Sequence, residues 1–155
     1  MFTESSTVES LVRDLLSGGG PHNTSVGPGL ARRNGKLCGL GWHYLPAANI
    51  PRFPHEVFAE PWVREALLRL NPEIAAVPDR ADEVLYKLRA IVLAVRSDGL
   101  IKANEELTAW MRGDRSMPFG PNHEHVTVRL LDTENPEHNH YVVTNQFVFR
   151  AGPNE

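Results

Sequence analysis

The chain of 155 residues carries a formal net charge of −3, with 41% hydrophobic and 23% charged residues. These values are ordinary for a soluble globular protein, and they predict a single domain over residues 1–155. They give no general attraction to nucleic acid, so any DNA contact has to be a local patch or belong to a partner. The lone Cys38 excludes an internal disulfide, and the sequence has neither a membrane span nor a secretory signal, so we predict a cytoplasmic protein without membrane association.

The first predicted element is a helix that ends at Ser17, where a run of glycines follows. Ser6 and Glu9 fit a capping box, in which a hydroxyl is paired with a carboxylate three residues later. Glu9 is therefore interpreted first as a capping residue. The alternative is that Glu9 is an active-site carboxylate that reaches toward the sheet.

A glycine-rich stretch over residues 18–41 lacks a periodic apolar pattern. Long structureless loops in compact domains are generally functional or disordered, so we predict a flexible loop. Arg32, Arg33 and Lys36 form a small basic cluster that could contact phosphate, although a solvated insertion is the more common explanation. The following residues, 41–46, predict a short strand or an extended segment.

Three helices are predicted in the middle of the chain. The first begins at Glu60, because the proline after it is favoured at the first helical position, and it ends at Asn71. The second has Asp79 as its cap and is closed by Gly99, and the third covers residues 100–112. The expected buried stripes of these helices are Trp62, Val63, Ala66, Leu67 and Leu70; Val84, Leu85, Leu88, Ile91, Val92 and Val95; and Leu100, Leu107, Trp110 and Met111.

Two strands are predicted near the end of the chain, over residues 125–131 and 140–150, and the polar segment 132–139 would join them as a hairpin. The predicted fold class is therefore α+β, with helices followed by an incomplete mixed sheet. Because no further strand follows, we expect the edge from Val142 to Phe149 to be exposed and to pair readily with another chain.

The sequence lacks the motifs of several common classes of nucleotide-binding proteins and enzymes. The sequence has no phosphate-binding glycine loop, no dinucleotide fingerprint and no nucleophile elbow of a serine hydrolase. Two H-x-H pairs, His123 with His125 and His138 with His140, would each project from one strand face and could converge on zinc across the hairpin. A polar rim of the sheet, without a metal, is the interpretation that we favour.

Several blocks of sequence, taken together and in their order along the chain, resemble a known protein family. They are residues 7–16, 62–74, 80–89, 97–101, 103–106, 115–122, 128–132 and 142–147. They include Trp62-Val63-Arg64-Glu65-Ala66-Leu67 and Arg115-Ser116-Met117-Pro118-Phe119-Gly120-Pro121-Asn122. With these blocks the chain resembles the N-terminal region of the restriction (motor) subunit of type I restriction-modification enzymes. The resemblance covers nearly the whole chain, and the glycine-rich loop is its least constrained part.

The resemblance implies the N-terminal part of a PD-(D/E)xK nuclease domain. In such a domain an Asp and a Glu-x-Lys on neighbouring strands hold Mg²⁺, which polarises the scissile phosphate and activates water. In the family these residues come just after the strand that ends at Phe149, and this chain contains no matching arrangement. Glu9 matches an acidic position in the family's first helix, and it is the candidate catalytic residue here.

The resemblance also implies the partners and the cofactors. The complete subunit cleaves unmodified foreign DNA with Mg²⁺, uses ATP at motor domains that this chain lacks, and works with methyltransferase and specificity subunits. We expect this chain alone to be inactive and to bind no cofactor. The alternatives are a free-standing, non-catalytic module that docks on restriction-modification subunits and an unrelated metal-dependent hydrolase that uses the histidine pairs.

Overall fold

The computed structural model describes residues 9–17, 32–33, 36–37, 40–145 and 147–150. The chain divides into two compact units, one formed by residues 1–50 and 140–155 and the other by Pro51–Asn139. We name them the terminal unit and the central unit. The single domain predicted over residues 1–155 stays a prediction.

Helices dominate the described residues, and the strands are short. The α-helices are α1 (Ser10–Ser17), α2 (Glu60–Leu70), α3 (Pro72–Ala76), α4 (Arg80–Leu93), α5 (Val95–Asp98) and α6 (Leu100–Arg112). The strands are β1 (Arg32–Arg33), β2 (Lys36–Leu37), β3 (His43–Tyr44), β4 (Ser116–Met117), β5 (Val126–Thr127) and β6 (Val142–Val143). Single 3₁₀ turns occupy Ala47–Asn49, Pro121–His123 and Pro136–His138. This content confirms the predicted α+β class.

The terminal unit packs α1 against a two-stranded parallel sheet. In that sheet β3 pairs with β6, and His43 lies opposite Val142. The carbonyl of Leu16, in the last turn of α1, accepts hydrogen bonds from the backbone N–H groups of Leu40 and Trp42, at 2.9 and 3.1 Å. Helix geometry leaves such a carbonyl without a partner inside the helix. The two bonds therefore fix the end of α1 next to the start of β3.

The stretch predicted as a glycine-rich loop contains a strand pair. β1 and β2 are antiparallel, and Arg33 lies opposite Lys36. The sequence between the two strands is Asn34-Gly35, a dipeptide strongly favoured in two-residue hairpins. The expectation of no regular structure is therefore wrong at these strands, and the Asn-Gly pair is the signal that was missed. Most of the rest of 18–41 lies outside the described residues, so its flexibility stays a prediction.

The predicted hairpin between residues 125–131 and 140–150 is wrong. β5, from the first stretch, pairs with β4 in the central unit, and β6, from the second, pairs with β3 in the terminal unit. Runs of β-branched residues suit any half-buried extended segment, so the pattern marks strands without selecting their partners.

The strand expected up to Phe149 is shorter than predicted, because β6 covers only Val142 and Val143, and pairing of its other edge with another chain stays a prediction. Val142 and Val143 are half-buried and already paired with β3. Phe147, Val148 and Phe149 are about half exposed, and they lie outside the described strands.

The core of the central unit lies between α2, α3, α4, α6 and the extended segments 117–119 and 126–130. Its buried residues are Leu67, Ile74, Ala81, Val84, Leu85, Leu88, Trp110, Met117, Phe119 and Val128. The predicted stripes of α2 and α4 are confirmed at Leu67, Val84, Leu85 and Leu88. In α6, Trp110 is buried as expected, whereas Leu100 and Met111 are exposed and the prediction for them is wrong.

The helix predicted between Asp79 and Gly99 is interrupted. α4 ends at Leu93, and the short α5 precedes Gly99, which has φ 86° and ψ 159°. That backbone region is essentially restricted to glycine, so the predicted stop at Gly99 is confirmed. The predicted cap is wrong, because the side chain of Asp79 makes no capping hydrogen bond. Asp82 and Glu83, in the first turn, complement the helix dipole instead.

Asn71 joins the corner between α2 and α3 to an extended segment far along the chain. It is 3% exposed. Its Nδ2 donates to the carbonyls of Leu67 and Arg129, both at 2.9 Å, and its Oδ1 accepts the N–H of Arg129 at 2.7 Å. The amide therefore satisfies both backbone groups of Arg129, as a neighbouring strand would, and it holds the adjacent Val128 in the core.

Arg80 has a similar role at the other end of the corner. Its Nη1 donates to the carbonyls of Glu73 (2.8 Å) and Phe119 (2.9 Å), and its guanidinium lies 5.1 Å from the ring centroid of Phe119. Hydrogen bonds from a charged donor are stronger than neutral ones. Arg80 therefore ties α3 and the start of α4 to the segment that carries Phe119.

We expect Asn71→Ala to lower the free energy of unfolding by roughly 2–3 kcal/mol, because buried backbone groups lose their hydrogen-bond partners. Urea denaturation followed by circular dichroism measures this change. The control is Asn104→Ala, which removes an exposed amide from α6 and should change stability by less than about 0.5 kcal/mol. Equal denaturation midpoints for the two variants would contradict the role assigned to Asn71.

Candidate functional site

Glu9, the candidate catalytic residue, lies directly before α1 and is exposed. Ser6, its predicted capping partner, lies outside the described residues. The capping and catalytic interpretations of Glu9 therefore both stay predictions.

A polar cluster in the terminal unit lies where α1 packs on the sheet. Arg13 Nε donates to Asp14 Oδ1 at 2.9 Å, and the guanidinium lies 5.3 Å from the ring centroid of Tyr44. The Tyr44 hydroxyl donates to Asn145 Oδ1 at 2.9 Å. The hydrogen bond to Asp14 raises the pKa of Arg13. The cluster therefore holds a permanent cation of α1 between a carboxylate and an aromatic face.

Two ring contacts support the pairing of β3 with β6. Trp42 and Tyr141 are stacked, with ring centroids 5.3 Å apart. His43 and His140 meet edge to face, with centroids 5.5 Å apart. His140 is thus held in the terminal unit by a ring contact.

The other histidines of the two H-x-H pairs lie in the central unit. His125 Nδ1 is 3.2 Å from Ser116 Oγ, and His138 Nδ1 is 2.9 Å from Asp132 Oδ2. The hairpin across which the two pairs could have converged does not form. Within the described parts of the chain, no three His, Cys, Asp or Glu side chains form a group that could hold a metal ion.

Asp132 is the centre of a closed loop between β5 and the end of the central unit, and it is 7% exposed. Its Oδ1 accepts the backbone N–H groups of Glu134 (3.1 Å) and Asn135 (2.9 Å), and its Oδ2 contacts His138. These donors, the Asn135 N–H first, lower the pKa of Asp132 to about 2. Asn139 closes the loop, since its Oδ1 accepts the N–H of Asp132 (2.8 Å) and its Nδ2 donates to the Asp132 carbonyl (2.7 Å).

The central unit also carries a groove between α4 and α6, with a volume of about 1020 Å³. We name it the α4–α6 groove. Its apolar lining consists of Ala90, Ile91, Ala94, Ala103, Trp110, Met117 and Pro118. Its charged lining consists of Lys87, Asp98, Lys102, Glu105, Glu106 and Arg115, and Ser116 and His125 complete the surface. Asp98 pairs with Lys102 at 3.0 Å, and Glu106 pairs with Arg115.

The chain matches a known protein family, the N terminus of the type I restriction enzyme R protein, over residues 34–155. The chain belongs to this family. The resemblance is confirmed for the sequence blocks from residue 62 onward, whereas the block 7–16 lies outside the match and stays a prediction. The match places the protein among restriction-modification proteins as the N-terminal region of an R subunit. No curated protein and no solved structure matches it. None of the described helices has the length and apolar character needed to cross a membrane.

A nuclease of a restriction enzyme implies Mg²⁺, which takes oxygen ligands, above all converging carboxylates. Among the described residues, the acids with shifted pKa values are engaged elsewhere. Asp132 is bound by its own loop, and three other carboxylates have pKa values lowered chiefly by a hydrogen bond from a cation. These ion pairs are Glu60–Arg89, Asp98–Lys102 and Glu106–Arg115. These four acids therefore do not fit a magnesium site, and we assign no catalytic step to them.

Sequence reasoning missed the polar cluster and the Asp132 loop. Asp132 had a usable local signal, because an Asp in a polar segment commonly accepts backbone N–H groups two or three residues later. The hydrogen bond between Tyr44 and Asn145 had no local sequence signal, because it joins residues 101 positions apart.

The Asp132 carboxylate should make stability depend on pH. Its folded pKa of about 2 lies below its ordinary value of 3.8, so the charged form favours the folded state above about pH 4. That contribution is lost as the pH falls from there through 2. Thermal unfolding of the unsubstituted protein and of Asp132→Asn should therefore show a difference in stability that is largest near neutral pH and shrinks in acid.

The matched control is Asp79→Asn, because Asp79 is exposed and its side chain makes no capping bond. Its stability difference from the unsubstituted protein should change less over the same pH range than that of Asp132→Asn, because Asp79 lacks the set of hydrogen bonds that surrounds Asp132. An equal pH dependence for the two variants would show that the Asp132 loop does not specifically stabilise the charged carboxylate.

Proposed function

We propose that the chain is the N-terminal part of the nuclease region of a restriction subunit that, in its complete form, cleaves unmodified foreign DNA. In this proposal Mg²⁺ serves the nuclease site and ATP serves the motor domains of the complete subunit. DNA, the methyltransferase and the specificity subunits are the partners, and the complex works in the cytoplasm. The observation that carries the proposal is the family match over residues 34–155.

We further propose that residues 1–155 do not cleave DNA by themselves. Metal-assisted hydrolysis of a phosphodiester needs acidic ligands that converge on the ion. Several described acids instead have separate local partners, as the Glu60–Arg89 and Glu106–Arg115 pairs illustrate. This distribution supports a role in the fold for these acids and leaves the chemistry to other residues of the complete enzyme.

Incubation of the purified chain with supercoiled plasmid and Mg²⁺ should leave the plasmid uncut, as in a parallel sample with EDTA. The complete restriction complex with ATP, on the same unmodified plasmid, is the positive control. Magnesium-dependent nicking by the chain, sensitive to EDTA and free of contaminating nuclease, would overturn the proposed inactivity.

The same assay on the complete complex separates the two interpretations of Glu9. If Glu9 assists the nuclease site, Glu9→Gln should lower cleavage by roughly tenfold or more and leave ATP hydrolysis unchanged. Glu65→Gln, at an exposed acid of α2, is the control. Full cleavage with a lower melting temperature would assign Glu9 to capping alone.

A second candidate function is non-catalytic docking on restriction-modification subunits. The observation that favours it is a group of exposed aliphatic side chains in the central unit: Leu93, Leu100 and Ile101 are 72%, 62% and 79% exposed. Exposed apolar surface of this kind often marks a protein-binding site.

A further inference from the structure

We propose that the α4–α6 groove binds one amphipathic α-helix of a protein partner, with an acidic residue on one flank of that helix and a basic residue on the other. This inference rests on docking as the second candidate function. It adds the binding surface and the chemistry of the partner.

The size of the groove fits a short helical segment. A helix with its side chains is about 10 Å across and rises about 11 Å in two turns, so two turns occupy roughly 850 Å³. The volume of the groove, about 1020 Å³, is comparable with that of about two turns of a helix.

The apolar lining suits the buried face of such a helix. Ala90 and Ala94 on α4, together with Ala103 on α6, are small, so they leave room for larger side chains of the partner. Trp110, 5% exposed, and Met117 form a firm apolar base. An apolar centre with a charged rim is the usual anatomy of a protein interface, and the seating of a helix in an apolar groove is a recurrent mode of recognition.

Three exposed aliphatic residues lie close to the groove in the sequence. Leu93 and Ile101 are next to the groove residues Ala94 and Lys102, and Leu100 lies two residues before Lys102. Water contact with these side chains is unfavourable. A partner that reaches past the groove would bury them.

The charges of the groove favour protein over nucleic acid. Three cations, Lys87, Lys102 and Arg115, are balanced by three anions, Asp98, Glu105 and Glu106. Nucleic-acid affinity depends on an excess of cations that neutralise phosphates. The balanced lining lacks that excess.

Two of these charges define the flanks of the partner helix. The other four form ion pairs with one another, whereas Lys87 on α4 and Glu105 on α6 have no ion pair among the residues that the structure describes. A helix seated between α4 and α6 therefore meets a cation on one side and an anion on the other. Complementary charges on its flanks would fix its orientation.

The probe for this proposal is the purified cognate methyltransferase–specificity complex, and the measurement is its affinity for the full chain by titration calorimetry. Ala90→Arg should weaken binding by about tenfold or more, because it fills the groove. Lys87→Glu and Glu105→Lys should each weaken it by roughly threefold or more, and this effect should shrink at high salt. All three positions are exposed on helices, and circular dichroism verifies that each variant folds.

The matched controls are Tyr86→Arg and Glu83→Lys, at exposed positions of α4 outside the groove. They introduce an arginine or reverse a charge on α4, and they should keep the affinity within about twofold. Binding by the unsubstituted chain that all groove variants retain would overturn the groove proposal and leave docking in place. No binding by the unsubstituted chain at micromolar concentration would overturn both.

Two other occupants are distinguished by the same variants. If an unmodified DNA duplex binds the chain, and Lys87→Glu weakens that binding while Glu105→Lys strengthens it, the groove is a nucleic-acid surface and the proposal is wrong. If light scattering shows a dimer of the chain that Ala90→Arg abolishes, the occupant is a second copy and the proposal is also wrong.

Discussion

The central unit depends on the pairing of the Asn71 side chain with the backbone of Arg129. A buried peptide group needs a hydrogen-bond partner, and in most folds a neighbouring strand supplies it. Here a single amide from the corner between α2 and α3 supplies both partners. Arg80 does the same for the carbonyl of Phe119. With these extended segments satisfied by side chains, strands of two residues are sufficient to complete the core.

Several acidic side chains also stabilise the fold through local hydrogen bonds and ion pairs. Asp132 accepts its hydrogen bonds from its own loop, and Glu60 and Glu106 bind arginines that hold helices and strands in place. Carboxylates used in this way stabilise the fold and are poorly placed to share a magnesium ion. The α4–α6 groove differs, because small residues line it and two of its charges, Lys87 and Glu105, are left for a partner.

Helices were the most predictable part of the fold. α2 and α6 begin and end where the sequence placed them, because proline and glycine mark helix boundaries through local sterics alone. Predictions failed where the outcome depended on distant residues. Asp79 was expected to cap α4 and does not. The predicted hairpin does not form, and β6 pairs instead with β3, about a hundred residues earlier.

The α+β class, the ends of the main helices and membership of the restriction-enzyme family could all be predicted from the amino-acid sequence. Each of these follows from local backbone preference or from the order of residues along the chain. Tertiary structure alone decided which strands pair, which amide binds Arg129, and that α4 and α6 leave a groove. Those outcomes depend on contacts between residues far apart in the chain, and apolar periodicity specifies that a face is buried without specifying what buries it.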